Sequence, residues 1–340
     1  MLMLEGHFIG LTLSLEARDP SHPVYFIWEI IRGFNAPLFF TTAGMIFVFL
    51  LAGEKDPIFY KSNRVRKGLW RAAELLFWGY ALQLNVQYIP DYLQGKFNNW
   101  VFAFHVLQCI GVGLISLILI AAAQKAVGKA SLVVWYAIST VLCVIGYIWL
   151  QNQQQDVFIP AGWPQIIQNI LNGPESIFPA LKWLGFALLG GAMGAYVRSI
   201  NHLPPTLKSC VWFFILAGAL KLIWVAAVFI PMPEKTSTAL SWFTERSSEV
   251  VAFLGVLRWI EIRYGIGVPW MLRIGQETFA IYILHVIVLY GGFFGLGLNN
   301  YFKENLGPWQ AAGGAALFIA CLGGYGLLLN LWKTRKRKLA

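Results

Sequence analysis

Ten stretches of 15 to 30 mostly apolar residues run along the chain, separated by short polar loops. An apolar run of about 20 residues is long enough to cross the hydrocarbon core of a bilayer as a helix. The stretches cover residues 1–15, 24–53, 68–89, 100–123, 131–150, 176–197, 207–230, 247–262, 268–292 and 309–331. They predict an all-α polytopic membrane protein with about ten transmembrane helices.

The composition agrees with this prediction and excludes other classes of protein. Hydrophobic residues make up 58% of the chain and charged residues only 12%, whereas soluble domains are about 25% charged. So few charges cannot cover a surface in contact with water, which excludes a disordered chain, a nucleic-acid-binding protein and a secreted disulfide scaffold. All four cysteines fall inside predicted spans, so we expect neither disulfides nor a metal site. The loops hold no soluble domain, and residues 1–340 are predicted to form a single membrane domain.

The first apolar stretch is short for a transmembrane helix. About fifteen residues rise roughly 22 Å, less than the roughly 30 Å of the hydrocarbon core. The stretch also starts without a basic flank and carries Glu5 and His7, which fits a cleaved signal peptide poorly. We therefore expect that the first helix is truncated at its N-terminus.

Lysines and arginines are distributed unevenly between alternate loops. One set of loops and the C-terminal tail hold sixteen of them, and the other set holds five, namely Arg18, Lys96, Lys235, Arg246 and Lys303. Short loops rich in basic residues face the cytoplasm. The net charge of +10 is thus first a topology signal, and it predicts that both termini are cytoplasmic. The longest loop, residues 151–175, is expected to carry a short interfacial helix around residues 164–171.

Ionisable side chains inside the spans are the strongest functional signal, because each costs several kcal/mol unless it is paired or faces a cavity. With this topology, His7, Arg32, His105 and His285 lie at similar depth near the outer leaflet. They predict a polar vestibule between the first, second, fourth and ninth spans.

Structural roles are open alternatives for these residues. His7 can make an interhelical hydrogen bond, and Arg32 can pair with Glu29 three positions earlier on the same helical face. His105 and Gln108 share one face at i, i+3 spacing, which packing hydrogen bonds also explain.

Arg273 and Glu277 are spaced i, i+4 near the cytoplasmic end of the ninth span. This spacing favours a structural ion pair between them.

Several segments together resemble a known family. They are LMLEGHFIG, IRGFNAPLFFTTAGMIFVFLL, the basic loop leading into KGLW, FHVLQCIGVGLISL and IGQETFAIYILH. In this order and spacing they resemble the acyltransferase family 3 superfamily of integral membrane acyltransferases, and within it the bacterial relatives of heparan-alpha-glucosaminide N-acetyltransferase. The family's charged motif before the first helix is missing from this chain.

The resemblance implies transfer of an acyl group, most simply acetyl, from cytoplasmic acyl-CoA to a hydroxyl or amine of a glycan or glycolipid at the outer side. It places the protein in the inner membrane of a bacterium. Such a reaction needs a general base and donors for the oxyanion. His7 stands where the family's first-helix histidine stands and is the candidate base. Arg32, His105 and His285 complete the candidate catalytic set.

Four basic residues at the cytoplasmic start of the third span are candidates for binding the phosphates of coenzyme A. They are Arg64, Arg66, Lys67 and Arg71. Bonds from arginine to phosphate are strong because both partners are charged. Membrane topology and attraction to anionic lipids are the alternative explanation of this cluster.

Two other classes of protein stay open. A secondary transporter of a small polar or anionic solute would also have about ten spans, and Lys182, Lys221 and Glu249 would supply its ion path. A noncatalytic scaffold or lipid binder would not need the buried histidines and arginine. The sequence leaves the acceptor, the acyl chain length and homo-oligomerisation open.

Overall fold

The computed structural model describes residues 1–54, 59–128, 130–153, 165–171, 173, 175–200, 206–265 and 267–339. These residues form α-helices joined by turns and short 3-10 segments, and none of them belongs to a β-strand. The prediction of an all-α polytopic membrane protein is confirmed. Lys55 and Lys129 of the predicted cytoplasmic set, and Pro164 of the predicted interfacial helix, lie outside the described residues.

The described α-helices are numbered here in chain order. They are α1 (Leu2–Thr12), α2 (Pro23–Ala52), α3 (Asn63–Ala81), α4 (Ile89–Leu93), α5 (Val106–Val127), α6 (Leu132–Asn152), α7 (Gln165–Leu171), α8 (Ala180–Ser199), α9 (Leu207–Phe229), α10 (Glu234–Tyr264), α11 (Pro269–Gln276), α12 (Thr278–Tyr290), α13 (Asn299–Phe302) and α14 (Pro308–Leu339).

Each of the ten predicted spans coincides with at least one helix, but fewer helices qualify as spans on length and hydropathy. Six described helices do: α2, α5 with its preceding 3-10 turn, α6, α8, α9 and α14. The pair α11 and α12, bent by 67°, brings the number to seven if it counts as one span. The count of ten is therefore not confirmed.

The other helices in predicted spans fail to qualify as membrane spans for different reasons. Helix α1 has only eleven residues. Helices α3 and α10 carry too many charged side chains, such as the basic cluster of α3 and the pairs Arg246–Glu249 and Arg258–Glu261 of α10.

The described chain divides into two compact units. The first contains Met1–Asn35, Ala81–Phe97 and Gly265–Ala340. Its core forms where α1 and α12 pack on α14, with Leu4, Phe8, Leu289 and Phe318 among the buried residues. The ring centroids of Phe8 and Phe318 are 5.3 Å apart.

Backbone hydrogen bonds fix the end of α1 in this unit. Ser14 N donates to Leu306 O (2.9 Å), and Leu306 N donates to Thr12 O (2.8 Å). They join the segment after α1 to the segment before α14, so that both helices are held at one end.

The second unit contains Ala36–Tyr80 and Asn98–Tyr264. Helix α8 packs against α5 and α6, and α9 forms a long hairpin with α10. Small residues let α2 and α8 approach closely: a Cβ on Gly190 would overlap the carbonyl of Thr41, and one on Gly194 would overlap that of Met45. Close backbone approach at glycines spaced four apart is a common way of packing membrane helices.

Substituting Gly190 tests this contact. Gly190→Ala should lower the unfolding temperature of the detergent-solubilised protein, because overpacking typically costs about 1–3 kcal/mol and the obstructing atom belongs to the backbone of α2. Gly218→Ala in α9 is the matched control, since a Cβ there meets no atom within 4 Å. Equal melting temperatures for the two variants would contradict the close α2–α8 contact.

Candidate active site

Helix α1 places His7 beside the end of α12 in the first unit. His7 is partly buried, and its Nδ1 lies 2.9 Å from the hydroxyl oxygen of Tyr290, the last residue of α12. The two rings meet edge to face, with their centroids 5.9 Å apart. His7 is therefore held by a hydrogen bond from outside its own helix.

His285 belongs to α12, the helix that also carries Tyr290, and its ring lies next to that of His7. The ring centroids of the two histidines are 5.2 Å apart, and His285 has no exposed surface. The backbone of Ile281 and Tyr282, one turn earlier, interacts with the His285 ring. Neither ring nitrogen makes a hydrogen bond of normal geometry within the described part of the chain. Because buried polar groups are nearly always hydrogen-bonded, such a side chain is a candidate for contacting a ligand.

Arg32 lies against the same face of α1, where two glycines flank His7. A Cβ on Gly10 would be 3.3 Å from the Arg32 Cζ, and one on Gly6 would be 3.5 Å from its Cγ. The guanidinium also lies 5.3 Å from the ring centroid of Trp28, whose indole N–H donates to Glu5. The glycines thus open a groove that admits the arginine beside His7.

The structural alternative for Arg32 is not observed. The expected partner was Glu29, but no carboxylate forms an ion pair with Arg32 among the described residues. Arg32 is exposed and lies over the Trp28 ring, and the Glu5 carboxylate interacts with its charge without forming an ion pair. A permanent positive charge in this place is available for an anion or for a carbonyl oxygen that gains negative charge.

His105 belongs to the second unit, and its local geometry differs from the prediction. It precedes α5 as the N-cap residue, so it does not share a helical face with Gln108. Its ring packs on Trp100 with centroids 4.6 Å apart, and its buried Nε2 has no partner within the described chain. Gln108 is buried against α3, where a Cβ on Gly79 would meet its amide.

The four basic candidates for the donor site all lie on the first turns of α3. Three of them, Arg66, Lys67 and Arg71, line a groove of about 690 Å³ together with Tyr60 and Trp70. Arg64 is exposed on the same helix but is not among the lining residues. This groove joins positive charge to aromatic surface, which is a combination suited to a nucleotide.

Two of these side chains also have local partners. Arg71 pairs with Glu74 at 2.7 Å, and Arg66 donates to Asn63 Oδ1 at 3.2 Å.

A second polar cavity lies at the N-terminal end of α12 and is lined in part by Glu277. The contacts that Glu277 makes there differ from the predicted Arg273–Glu277 pair. Glu277 is 6% exposed and pairs with Lys333 of α14 at 2.6 Å. Asn330 donates to Glu277 and Gln276 at 3.3 and 3.0 Å. The i, i+4 relation fails because α11 ends at Gln276 and α12 starts at Thr278 with a 67° bend between them.

Substitutions at the two basic residues distinguish the predicted pair from the observed one. Lys333→Met should lower the unfolding temperature, because it leaves the buried Glu277 carboxylate without its charged partner; an unsatisfied buried polar group typically costs about 1–3 kcal/mol, and a charged group more. Arg273→Met also removes one positive charge but leaves the partner of Glu277 in place, so it should have little effect. The reverse order of the two melting temperatures would support the pairing expected from the sequence.

The residues considered for a transporter path have separate partners. Lys221 pairs with Glu245 at 3.4 Å, Glu249 pairs with Arg246 at 2.8 Å, and Lys182 lies over Trp242 at 4.6 Å. Among the described residues of the second unit, the three candidate residues form no ion pair with one another.

Tyr290 and Lys333 are functional candidates that the sequence analysis missed. Tyr290 follows a strongly apolar run and immediately precedes Gly291, which is a signal for a helix end with a polar hydroxyl. Nothing in the sequence, however, indicates that this hydroxyl faces His7. Lys333 belongs to a basic tail in which topology alone explains every lysine.

Comparison with known proteins adds one finding. The family model Acyl_transf_3, described as an acyltransferase domain, matches residues 1–326. No curated protein and no solved structure matches the chain. The family match favours an acyltransferase over a transporter, and the finer relationship to heparan-alpha-glucosaminide N-acetyltransferase is not confirmed.

Proposed function

The chain belongs to the acyltransferase 3 family, and from this premise we propose that it moves an acyl group from acyl-CoA to a hydroxyl or amine with His7 as general base. The observation that carries the proposal is the grouping of His7, His285 and Arg32 around α1 in the first unit. The family match makes the protein a membrane acyltransferase. The donor, the acceptor and the residue roles are our proposals.

The proposed chemistry needs one base and one site for negative charge. The acceptor oxygen or nitrogen attacks the thioester carbonyl carbon while His7 removes its proton. The carbonyl oxygen becomes an oxyanion, and collapse of the tetrahedral intermediate breaks the carbon–sulfur bond. Coenzyme A leaves as the thiol when the proton held by His7 passes to its sulfur. Histidine suits this exchange because its unperturbed pKa lies near neutral pH.

Arg32 is proposed to stabilise the oxyanion. Its guanidinium lies on the Gly6–Gly10 face of α1 and has no carboxylate partner among the described residues. A charged donor that is already in place requires no reorganisation when the negative charge develops. His285 and His105 each have a buried ring nitrogen that makes no hydrogen bond of normal geometry within the described residues, and they are proposed as further hydrogen-bonding groups for the substrates.

The nucleotide part of acyl-CoA is proposed to bind the groove on α3. Arg66, Lys67 and Arg71 supply charge for the phosphates, and Tyr60 and Trp70 supply flat surfaces for the adenine. Arg64 adds charge on the same helix. We further propose that both termini are cytoplasmic, that the protein lies in a bacterial inner membrane, and that the acceptor is a glycan or glycolipid at the outer side.

Label transfer tests the proposed function. Membrane vesicles containing the protein, with their cytoplasmic face outward, are supplied with radiolabelled acetyl-CoA, and the lipid and glycan fractions are then analysed. The proposal expects protein-dependent incorporation of label into one of these fractions. Vesicles that carry the His7→Gln variant at equal abundance serve as the control. Absence of incorporation with acetyl-CoA and with longer acyl-CoA donors would contradict the proposal.

Replacement of His7 tests the base. His7→Gln keeps a donor and an acceptor but cannot take up a proton near neutral pH, so the transfer rate should fall by about 10²–10⁴-fold. His22→Gln in the exposed loop after α1 is the matched control and should leave the rate unchanged. A folded His7→Gln protein with a nearly normal rate would show that His7 only packs.

The donor groove is tested by a matched pair of double variants. Arg66→Gln/Lys67→Gln should raise the KM for acyl-CoA and change kcat little, because phosphate contacts are made equally in the ground and transition states. Lys208→Gln/Arg263→Gln removes the same charge from other exposed basic residues and should not alter KM. Equal KM values for the two would indicate that the α3 cluster serves topology or lipid binding.

A further inference from the structure

We infer that Tyr290 is a positioning residue that sets the tautomer of His7. Its hydroxyl oxygen accepts a hydrogen bond from Nδ1–H of His7, and Nε2 is left with a free electron pair for the proton of the acceptor. The inference rests on the proposed role of His7 as a base. It starts from the 2.9 Å contact between His7 Nδ1 and the Tyr290 hydroxyl.

The contact can control the chemistry because a neutral imidazole carries only one proton. The nitrogen that holds this proton is determined by the hydrogen bond that it makes. Tyrosine can accept as well as donate. When the hydroxyl accepts, Nδ1 holds the proton and Nε2 is the basic nitrogen; the opposite arrangement would leave no free electron pair at Nε2.

The other neighbours of His7 do not form a hydrogen bond with its ring in the described structure. Glu5 is two residues away on α1 and accepts from Trp28. Arg32 has no lone pair to offer and cannot accept. His285 stacks at an angle of 37° with ring centroids 5.2 Å away. Within the described residues, Tyr290 is thus the one side chain at hydrogen-bond distance from a His7 ring nitrogen.

The fold holds the Tyr290 hydroxyl in place through the turn that follows it. Gly291 ends α12 with φ 72°, a conformation that suits glycine. A Cβ there would also lie 2.8 Å from the backbone of Leu296. Leu298 N donates back to Val288 O at 2.9 Å, and Val86 N donates to Phe293 O at 2.9 Å. Because the end of α12 is fixed from both sides, its last side chain can orient another group.

Tyr290→Phe removes only the hydroxyl and is the direct test. With radiolabelled acetyl-CoA as donor, the transfer rate should fall about 10- to 100-fold, as when a partner that orients a histidine is lost, while the KM for acetyl-CoA stays constant. Tyr301→Phe is the matched control, since Tyr301 is 70% exposed on α13 and its substitution should leave the rate unchanged.

A double-mutant cycle separates positioning from a general structural effect. In the His7→Gln background, Tyr290→Phe should change the remaining rate less than about threefold, because residues that act through one another are not additive. A full additional loss in that background would overturn the inference. So would an acyl group found on Tyr290 by mass spectrometry, because the tyrosine would then be a nucleophile.

Nitrogen NMR of protein labelled at its histidines tests the tautomer without any enzymatic assay. The chain has five histidines, and the His7→Gln variant identifies the His7 signals. The inference expects Nδ1-protonated His7 in the wild type and a changed tautomer signal in Tyr290→Phe. The same tautomer in both proteins would overturn it. If label transfer is absent but the tautomer responds as expected, the proposed function fails and the positioning by Tyr290 stands.

Discussion

The candidate active site depends on the docking of α1 on α14. An eleven-residue helix rises only about 16 Å, so its own hydrogen bonds do not fix its depth or rotation. Leu4 and Phe8 bury one face against α14, and the backbone bonds between residues 12–14 and Leu306 hold its C-terminal end. His7 lies between these attachments, so the position of the proposed base is a consequence of apolar packing.

The Arg32 guanidinium fits beside His7 because two residues of α1, Gly6 and Gly10, have no side chain there. Gly6 and Gly10 stand one turn apart on the face that Arg32 covers, and any Cβ at Gly10 would press on the guanidinium. A longer residue at either glycine would crowd the Arg32 side chain. The two glycines therefore explain how the permanent charge of Arg32 fits next to the candidate base. Among the described residues no carboxylate forms an ion pair with Arg32, and such a pair would weaken its interaction with an oxyanion.

The sequence predicts where helices lie far better than which polar groups meet. Apolar runs locate a helix in all ten predicted spans, because burial of apolar surface is encoded locally along the chain. Neither the Arg32–Glu29 pair nor the Arg273–Glu277 pair is observed among the described residues. Glu29 and Arg32 lie on one helix, α2, whereas a 67° bend separates α11 from α12 between Arg273 and the residues after Glu277. Trp28 faces Arg32 instead, and Lys333 reaches Glu277 from α14. The Trp28–Arg32 contact has the i, i+4 spacing of a single helix, whereas the Glu277–Lys333 pair depends on tertiary packing that spacing within the ninth span does not encode.

The bend between α11 and α12 changes the meaning of the ninth span. A straight helix over residues 268–292 would form one continuous membrane crossing. Arg273 and Glu277 would then lie on the same face of that helix, near its start. The bend leaves α11 with three large exposed apolar residues, Trp270, Met271 and Leu272, beside Arg273, a pattern typical of a helix at the membrane surface. Only the thirteen residues of α12, about 20 Å, then separate Glu277 from Tyr290. One short helix thus connects the Glu277–Lys333 ion pair at one end to the hydroxyl that we propose orients His7 at the other.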